Sequence, residues 1–408
     1  MNIKQLDLFK EENNLISNSL CFFDPITSYL PDDFVNEDGS IKGDKKINVF
    51  MVGFDDINEE LYRKLLINNQ FVTPKGKSYK SLLVNYYIFD LEKRRSNSYL
   101  VNGIKELYSN LRDNRKDYFG LPEKMNKTKF VFEYLEGNSF IDKLNKISKD
   151  KDSINFAFVS YGSDYCNAEL ADKIQRRVKN IKHIYVNAHL NRYLEGVTYY
   201  GDYLNKQVDL ENILVSVNNA YQNRQTSIED ISRLPEIKIY SNYFQAMNLK
   251  HKYHLLGYDF VSKEKVKESD RVIGEEEFLS RFNDINSYKD YFKASTLVAM
   301  IYEEHLHWNA EYMCYGYVPM TIKEHRFEGG KIIEQDIENH KHGCIASYRG
   351  LDKRTRYLHE LRVKTLNDKT PIFSKDGSSL EVYKYDFQFL KKSYKFLTEL
   401  GFVVVEKR

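Results

Sequence analysis

At 408 residues the chain is long enough for two or three domains, each burying its own core. Its 61 lysines and arginines nearly cancel 59 aspartates and glutamates, so a net charge of +2 points neither to nucleic acid nor to an anionic membrane as partner. No apolar run nears the roughly 20 residues of a membrane span, and four scattered cysteines without a Cys-x-x-Cys pair fit a reducing cytoplasm and no zinc ribbon.

Residues 1–45 read as an N-terminal extension. Residues 1–14 mix charges and lack a signal-peptide core. Pro25, Pro31, Asp32-Asp33 and Asn36-Glu37-Asp38-Gly39 predict turns. Cys21-Phe22-Phe23 is placed to dock on the body.

From residue 46 the pattern alternates. An apolar run at 47–53 ends in Gly53 and predicts a buried strand, followed by a helix at 58–69 with Leu61, Leu65 and Leu66 on one face. Further strands are expected at 83–89, ending in Asp90, at 129–134, at 154–159 and at 183–186, with a helix at 167–178. Strands alternating with helices imply a parallel, doubly wound α/β sheet. Ligands on such sheets lie beyond the carboxyl ends of the strands. One rim would therefore carry Gly53, Asp90, Ser160, Gly162 and Asn187.

The loop Gly53-Phe54-Asp55-Asp56-Ile57-Asn58 keeps only the first glycine of a dinucleotide fingerprint. Asp55 puts a carboxylate where phosphate should sit. Two such charges about 4 Å apart repel by roughly 4 kcal/mol at an effective dielectric near 20. A helix terminus returns only about 0.3–1 kcal/mol, up to about 2. Repulsion wins unless a cation compensates, and Lys75, Lys77 and Lys80, in what reads as a long loop, are the candidates. Asp90 argues the other way, because an acid ending the second strand is what binds an adenosine ribose. Two readings stay open. One is a site for NAD or another adenine nucleotide on Gly53, Asp55, Asn58, Asp90, Ser160, Gly162 and Asn187. The other is a Rossmann scaffold whose cofactor is altered or lost. Ser160-Tyr161-Gly162-Ser163-Asp164 lacks the frame of a nucleophile elbow and reads as a strand-to-helix turn with Asp164 near the N-cap.

Residues 200–290 predict a helix at 209–222, a strand at 237–240, helices at 245–256 and 275–284, and a solvated stretch at 263–271. They complete the first domain and connect it to the next, so 46–290 is one unit and 291–408 another.

A helix is expected at 295–315. Leu297, Ile301, Trp308, Tyr312 and Tyr315 recur at three-and-four spacing, Glu303, Glu304 and Glu311 fall between them, and Gly316 stops it. His305 and His307, two apart on a helix, face different ways and cannot chelate one ion. No metal site is expected, a zinc site on His340, His342 and Cys344 being the less favoured reading of that loop. His305 and Trp308 read equally as a core pair or as part of a pocket. In the pocket, Trp308 and Tyr317 stack on a planar ring, Tyr315 and His342 lie near, and His305, Asn309 and Asp386 read its polar edge. Arg349, with Arg354 and Arg356, would meet phosphates or form a solvated helix face. Residues 361–379 read as an inserted hairpin or flap, 386–401 as a helix, and 402–405 as a strand.

Glu304-His305-x-His307-Trp308-Asn309-Ala310, then Gly316-Tyr317, His342-Gly343-Cys344-Ile345 and Tyr385-Asp386, resembles the bacterial ryanodine-receptor-type (RyR) domain. That family typically shows His-x-Arg-Trp-Asn-Ala, Gly-Trp, His-Pro-Cys-Leu and Tyr-Asp. Here His307 replaces the arginine, Tyr317 the tryptophan and Gly343 the proline. The resemblance implies a smaller, mainly helical RyR-like domain behind a Rossmann-like domain similar to the NAD-binding part of Trk-type potassium uptake proteins. It further implies a cytoplasmic sensor or effector for a nucleotide-like small molecule, of the kind suspected in antiphage defence. A homodimer or higher homo-oligomer, and an operon-encoded protein partner, would accompany that role. Two alternatives are an NAD(P)-dependent oxidoreductase and a regulatory subunit of a transporter.

Overall fold

A computed structural model describes residues 25–189, 194–200, 215–219, 227–328, 331–370 and 382–407. Its front half holds strands β1 (Lys46–Val52), β2 (Phe71–Lys75), β3 (Ser78–Leu82), β4 (Val84–Asp90), β5 (Asn126–Phe132), β6 (Ser153–Val159), β7 (His183–Val186) and β8 (Thr198–Tyr199). Six of them form one sheet in the order β5-β4-β1-β6-β7-β8, parallel throughout. In β1 every residue after Lys46 is buried, which is why its sequence is apolar apart from Asn48, whose side chain donates to Asn155 Oδ1 at 2.9 Å. Helices α1 (Asp56–Asn68), α2 (Ile104–Asp113), α3 (Asn138–Ser148) and α4 (Asp164–Arg177) accompany the sheet. The α/β doubly wound reading of this half is correct.

Two expectations fail locally. The long loop before the second sheet strand is the hairpin β2–β3, turning at Gly76 in the left-handed region. It runs directly into the start of β4, so Lys75, Lys77 and Lys80 sit at the end of the sheet away from the rim. They cannot screen Asp55. The strand expected at 237–240 is instead the opening of α5 (Glu236–Leu255). Its alternating Ile237 and Ile239 mimic a strand, because this helix is buried on most of its circumference and carries little amphipathic signal. Of the helix expected at 209–222, residues 215–219 are helical and the rest lies outside the described residues.

The back half is built on α6 (Thr296–Cys314), with α7 (Tyr348–Leu366) and α8 (Tyr383–Glu399). Ser295 caps α6 by accepting from the Val298 amide, and Gly316, at φ +83°, ends it. From Leu297 to Cys314 every residue is buried except Trp308. The first half of α6 packs with Tyr348, Leu351 and Leu390. Its last turns join the sheet domain's core, beside Leu61 and Leu65 of α1. Residues 361–366 of the expected insertion continue α7, and 371–379 lie outside the described residues. The final strand, Phe402–Glu406, returns to pair antiparallel with Tyr258–Ser262.

Gly53 shows how closely the rim is packed. It has φ +80°, and a Cβ there would stand 2.1 Å from the Ser160 carbonyl oxygen. Gly257 has nearly the same φ, +81°, with nothing within 4 Å of such a Cβ. Gly257→Ala should cost about 1–2 kcal/mol from left-handed strain alone. Gly53→Ala should cost clearly more, above about 2 kcal/mol, because backbone must also move. Urea midpoints compare the two, and equal losses would contradict the contact between the β1 and β6 ends.

Candidate functional site

The sheet rim brings its expected residues together and uses their polar atoms internally. The Phe54 amide donates to Asp90 Oδ2 at 2.6 Å, and the Glu92 amide donates to Asp90 Oδ1 at 2.6 Å. Arg95 adds an ion pair to Asp90 at 3.2 Å. Asp55 caps α1, accepting from the Asn58 amide at 2.9 Å and from Ser160 Oγ at 2.6 Å. Asn187 donates to Ser160 Oγ at 3.0 Å, and Asn58 donates to the Gly53 carbonyl at 2.8 Å. The Gly162 amide donates to Asn167 Oδ1 at 3.1 Å. Burial pushes the Asp55 carboxyl up, against the pull of Ser160, Asn58 and Arg95. A carboxylate therefore stands where a dinucleotide would put its phosphate, and the ribose-type acid holds backbone amides. Arg95, Asn167 and Tyr200 belong to this network and had no signature in the sequence beyond their proximity to strand ends.

The second candidate region lies along α6. His305 Nε2 stands 2.6 Å from the Ala346 carbonyl, and Asn309 Nδ2 donates to the same oxygen at 2.8 Å. A ring nitrogen this close to a carbonyl must carry the proton, so His305 is the neutral Nε2–H form. The donors of both residues tie α6 to the turn before α7 rather than reading a guest. On another face, Glu304 pairs with Lys252 of α5 at 2.5 Å and accepts from His307 Nδ1 at 3.3 Å. Burial raises the Glu304 carboxyl, but Lys252 and then His307 outweigh it and hold it below the usual carboxylate range. Glu303 accepts from the Val72 amide of β2 at 3.0 Å and faces His251 at 3.3 Å. Glu311 accepts from Ser241 Oγ at 3.2 Å, and burial pushes its carboxyl well up. The glutamates expected between the apolar positions are thus interior groups.

Around Trp308 the structure assembles an aromatic and basic cluster. The indole lies 4.1 Å from the Tyr312 ring and meets His342 edge-on at 4.7 Å. Tyr312 meets Tyr317 edge-on at 5.0 Å, and Tyr317 stacks on His340 at 5.0 Å. Lys238 of α5 donates to the Tyr312 hydroxyl at 3.1 Å. His342 Nδ1 accepts from the Cys344 amide at 3.1 Å. Burial drives the His342 imidazole well down, with Lys238, Arg354 and His325 adding to it. Among the described residues no group of three or more His, Cys, Asp or Glu side chains is placed to hold a metal ion.

Of the expected pocket residues, Trp308, Tyr317 and His342 converge. Tyr315 instead stacks on Tyr240 at 4.2 Å, with the Arg63 guanidinium 5.1 Å from its ring. Arg349 is exposed and acts on the Tyr302 side of α6. Arg354 is the arginine that turns inward, fully buried, donating from Nε to His325 Nε2 at 3.2 Å. Asp386 lies in the first turn of α8, and its side chain is outside the described residues. Lys238 and His325 were missed. Lys238 sat in a stretch that read as a strand, and His325 carried no motif.

The His305 imidazole is pushed down to about 4, chiefly by burial and against the pull of Ala346. The unfolded chain takes up that proton near pH 6.5, so the folded value lies below the unfolded one. Its contribution to stability is then complete above about pH 6.5 and is lost progressively as pH falls to about 4, on the order of 3 kcal/mol in all. His305→Gln should flatten the fall of the urea midpoint across that window. Parallel profiles for the two proteins would show that another group carries it.

No helix among the described residues is long and apolar enough to cross a membrane. Comparison of the chain with family models, with curated proteins and with solved structures returns no match.

Proposed function

We propose that this protein is a cytoplasmic sensor or effector for a nucleotide-like small molecule, whose ring lies against Trp308 in an RyR-like back half. One observation supports the reading above others. Trp308 is the single residue between Leu297 and Cys314 that is only partly buried, on a helix otherwise buried on every side. A large ring left open beside Tyr312 and His342 suits a flat guest, and base–aromatic stacking contributes about 1–3 kcal/mol per base. The RyR-type pattern around Trp308 points the same way, and with it the reading includes a role in antiphage defence.

The sheet domain is then the part that reads the ligand's arrival. Tyr99 donates to the Met313 carbonyl at 2.8 Å and Arg63 to the Cys314 carbonyl at 3.3 Å, so the front half grips the end of the helix that bears the indole. In this reading the sheet also provides the contacts of a homodimer.

A thermal-shift panel of adenine nucleotides and cyclic dinucleotides tests the proposal. At 100 times its Kd a ligand adds about 2.7 kcal/mol to stability. The expected result is stabilisation by at least one of them that Trp308→Ala abolishes. Stabilisation that survives Trp308→Ala undiminished, or indifference to the whole panel, would contradict it.

A further inference from the structure

Beside Trp308 lies a set of cationic and imidazole groups that the stacking platform does not use. Arg354 has no exposed surface. Its Nε donates to His325, its Nη2 reaches Glu334 Oε1 at 3.2 Å, and its Nη1, though buried, has no partner among the described residues. His325 donates from Nδ1 to the Thr321 carbonyl at 2.9 Å, which fixes its Nε2 as the acceptor for Arg354. Lys238 makes no ion pair among the described residues; its ammonium is held only by the Tyr312 hydroxyl and ring. The guanidinium of Arg354 and the amine of Lys238 therefore flank His342, whose edge meets the indole.

Two carboxyl groups lie near: Glu311, which is buried, bonded to Ser241 and pushed well up by burial, and Glu334, which pairs with Arg354. Its side chain is 47% exposed, while the arginine it pairs with is fully buried. Its backbone is pinned, since its carbonyl accepts from the Gly343 amide at 2.8 Å. The carboxylate can swing outward without moving the chain. Gly343 permits the close arrangement, because a Cβ there would stand 2.7 Å from His325 Nε2 and 3.3 Å from Arg354 Nε.

We propose that Arg354, His325 and Lys238 form an anion subsite beside Trp308 that takes a phosphoryl group, with the Glu334 carboxylate as its displaceable occupant. The phosphoryl oxygens replace the Glu334 oxygen on Nη2 and give Nη1 an acceptor, the bidentate geometry that guanidinium groups favour. Lys238 supplies the second charge from the aromatic side. The subsite rests on the reading of Trp308 as the ring platform, and it predicts that the guest is a phosphorylated nucleoside rather than a nucleoside or a bare base.

Trp308 is the only tryptophan, so fluorescence excited at wavelengths beyond tyrosine absorption reports on this site alone. Inorganic pyrophosphate, inorganic phosphate, adenosine and AMP are titrated separately at constant ionic strength. A saturable response to pyrophosphate or phosphate is expected. Glu334→Gln removes the competing charge and should tighten that binding about ten-fold, close to 1.4 kcal/mol. Lys238→Met should weaken it by a similar factor, and Arg349→Gln should leave it unchanged. The gain in Glu334→Gln cannot come from a damaged fold. Absence of any saturable response to either anion in both the native protein and Glu334→Gln overturns the subsite, as does a Kd unaltered by Glu334→Gln and by Lys238→Met. If adenosine binds and the anions do not, the ring platform survives and the subsite falls. An anion response with no response to adenosine or AMP keeps the subsite and removes the platform. AMP binding more tightly than phosphate assigns the anion to a nucleotide.

Discussion

Burying α6 on all sides forces its neighbours to supply partners for Glu303, Glu304, His307 and Glu311. Taking a charge out of water costs several kcal/mol even after relaxation. Lys252 and His307 offset that for Glu304, and the Val72 amide and His251 do so for Glu303. Removing one member of such a pair typically costs about 3–5 kcal/mol, whereas the intact pair gives little net stability. What the seam supplies is register. Glu304, His307 and Glu311 share one face of α6, and Lys252, Gln245, Ser241 and Lys238 share the facing side of α5. Sliding either helix by a turn would strand several buried charges at once.

That register decides where the indole goes. With Glu304 and Glu311 turned to α5 and His305 and Asn309 turned to the Ala346 carbonyl, Trp308 is left as the one partly exposed residue from Leu297 to Cys314. Tyr99 and Arg63 hold the last carbonyls of the same helix from the sheet domain. The sheet core and the back-half core therefore both draw on α6, and Phe119 adds a second contact, edge-on to His325 at 5.1 Å. A guest pressing on Trp308 pushes on a helix that both halves hold.

Legibility in the sequence follows burial. β1 could be read because a strand covered on both faces is apolar almost throughout, Asn48 being the one polar residue after Lys46. α6 could be read because its aromatic positions keep helical spacing, although that spacing did not show that the glutamates between them are buried too. The hairpin β2–β3 could not, since Pro74 and three lysines, Lys75, Lys77 and Lys80, mask its alternation. The opening of α5 was hidden by burial on most sides, which erases the period of 3.6 that marks a surface helix. Arg349, Arg354 and Arg356 look alike in the sequence. Only packing separates them: Arg349 is exposed, Arg356 pairs with Asp352 at 2.9 Å, and Arg354 is drawn in by His325 and Glu334. The rim residues were placed correctly along the strand ends, but their mutual hydrogen bonds depend on loop geometry that spacing does not encode.

The central claim is that a single open ring sits among cationic groups on an otherwise buried helix. Collisional quenching of the native fluorescence by iodide and by caesium tests it without any knowledge of the ligand. Lys238 and Arg354 should draw the anion toward Trp308, so iodide should quench well and caesium poorly, with the difference shrinking in Lys238→Met. An indole that neither ion reaches, or one that caesium quenches as well as iodide, would contradict the account.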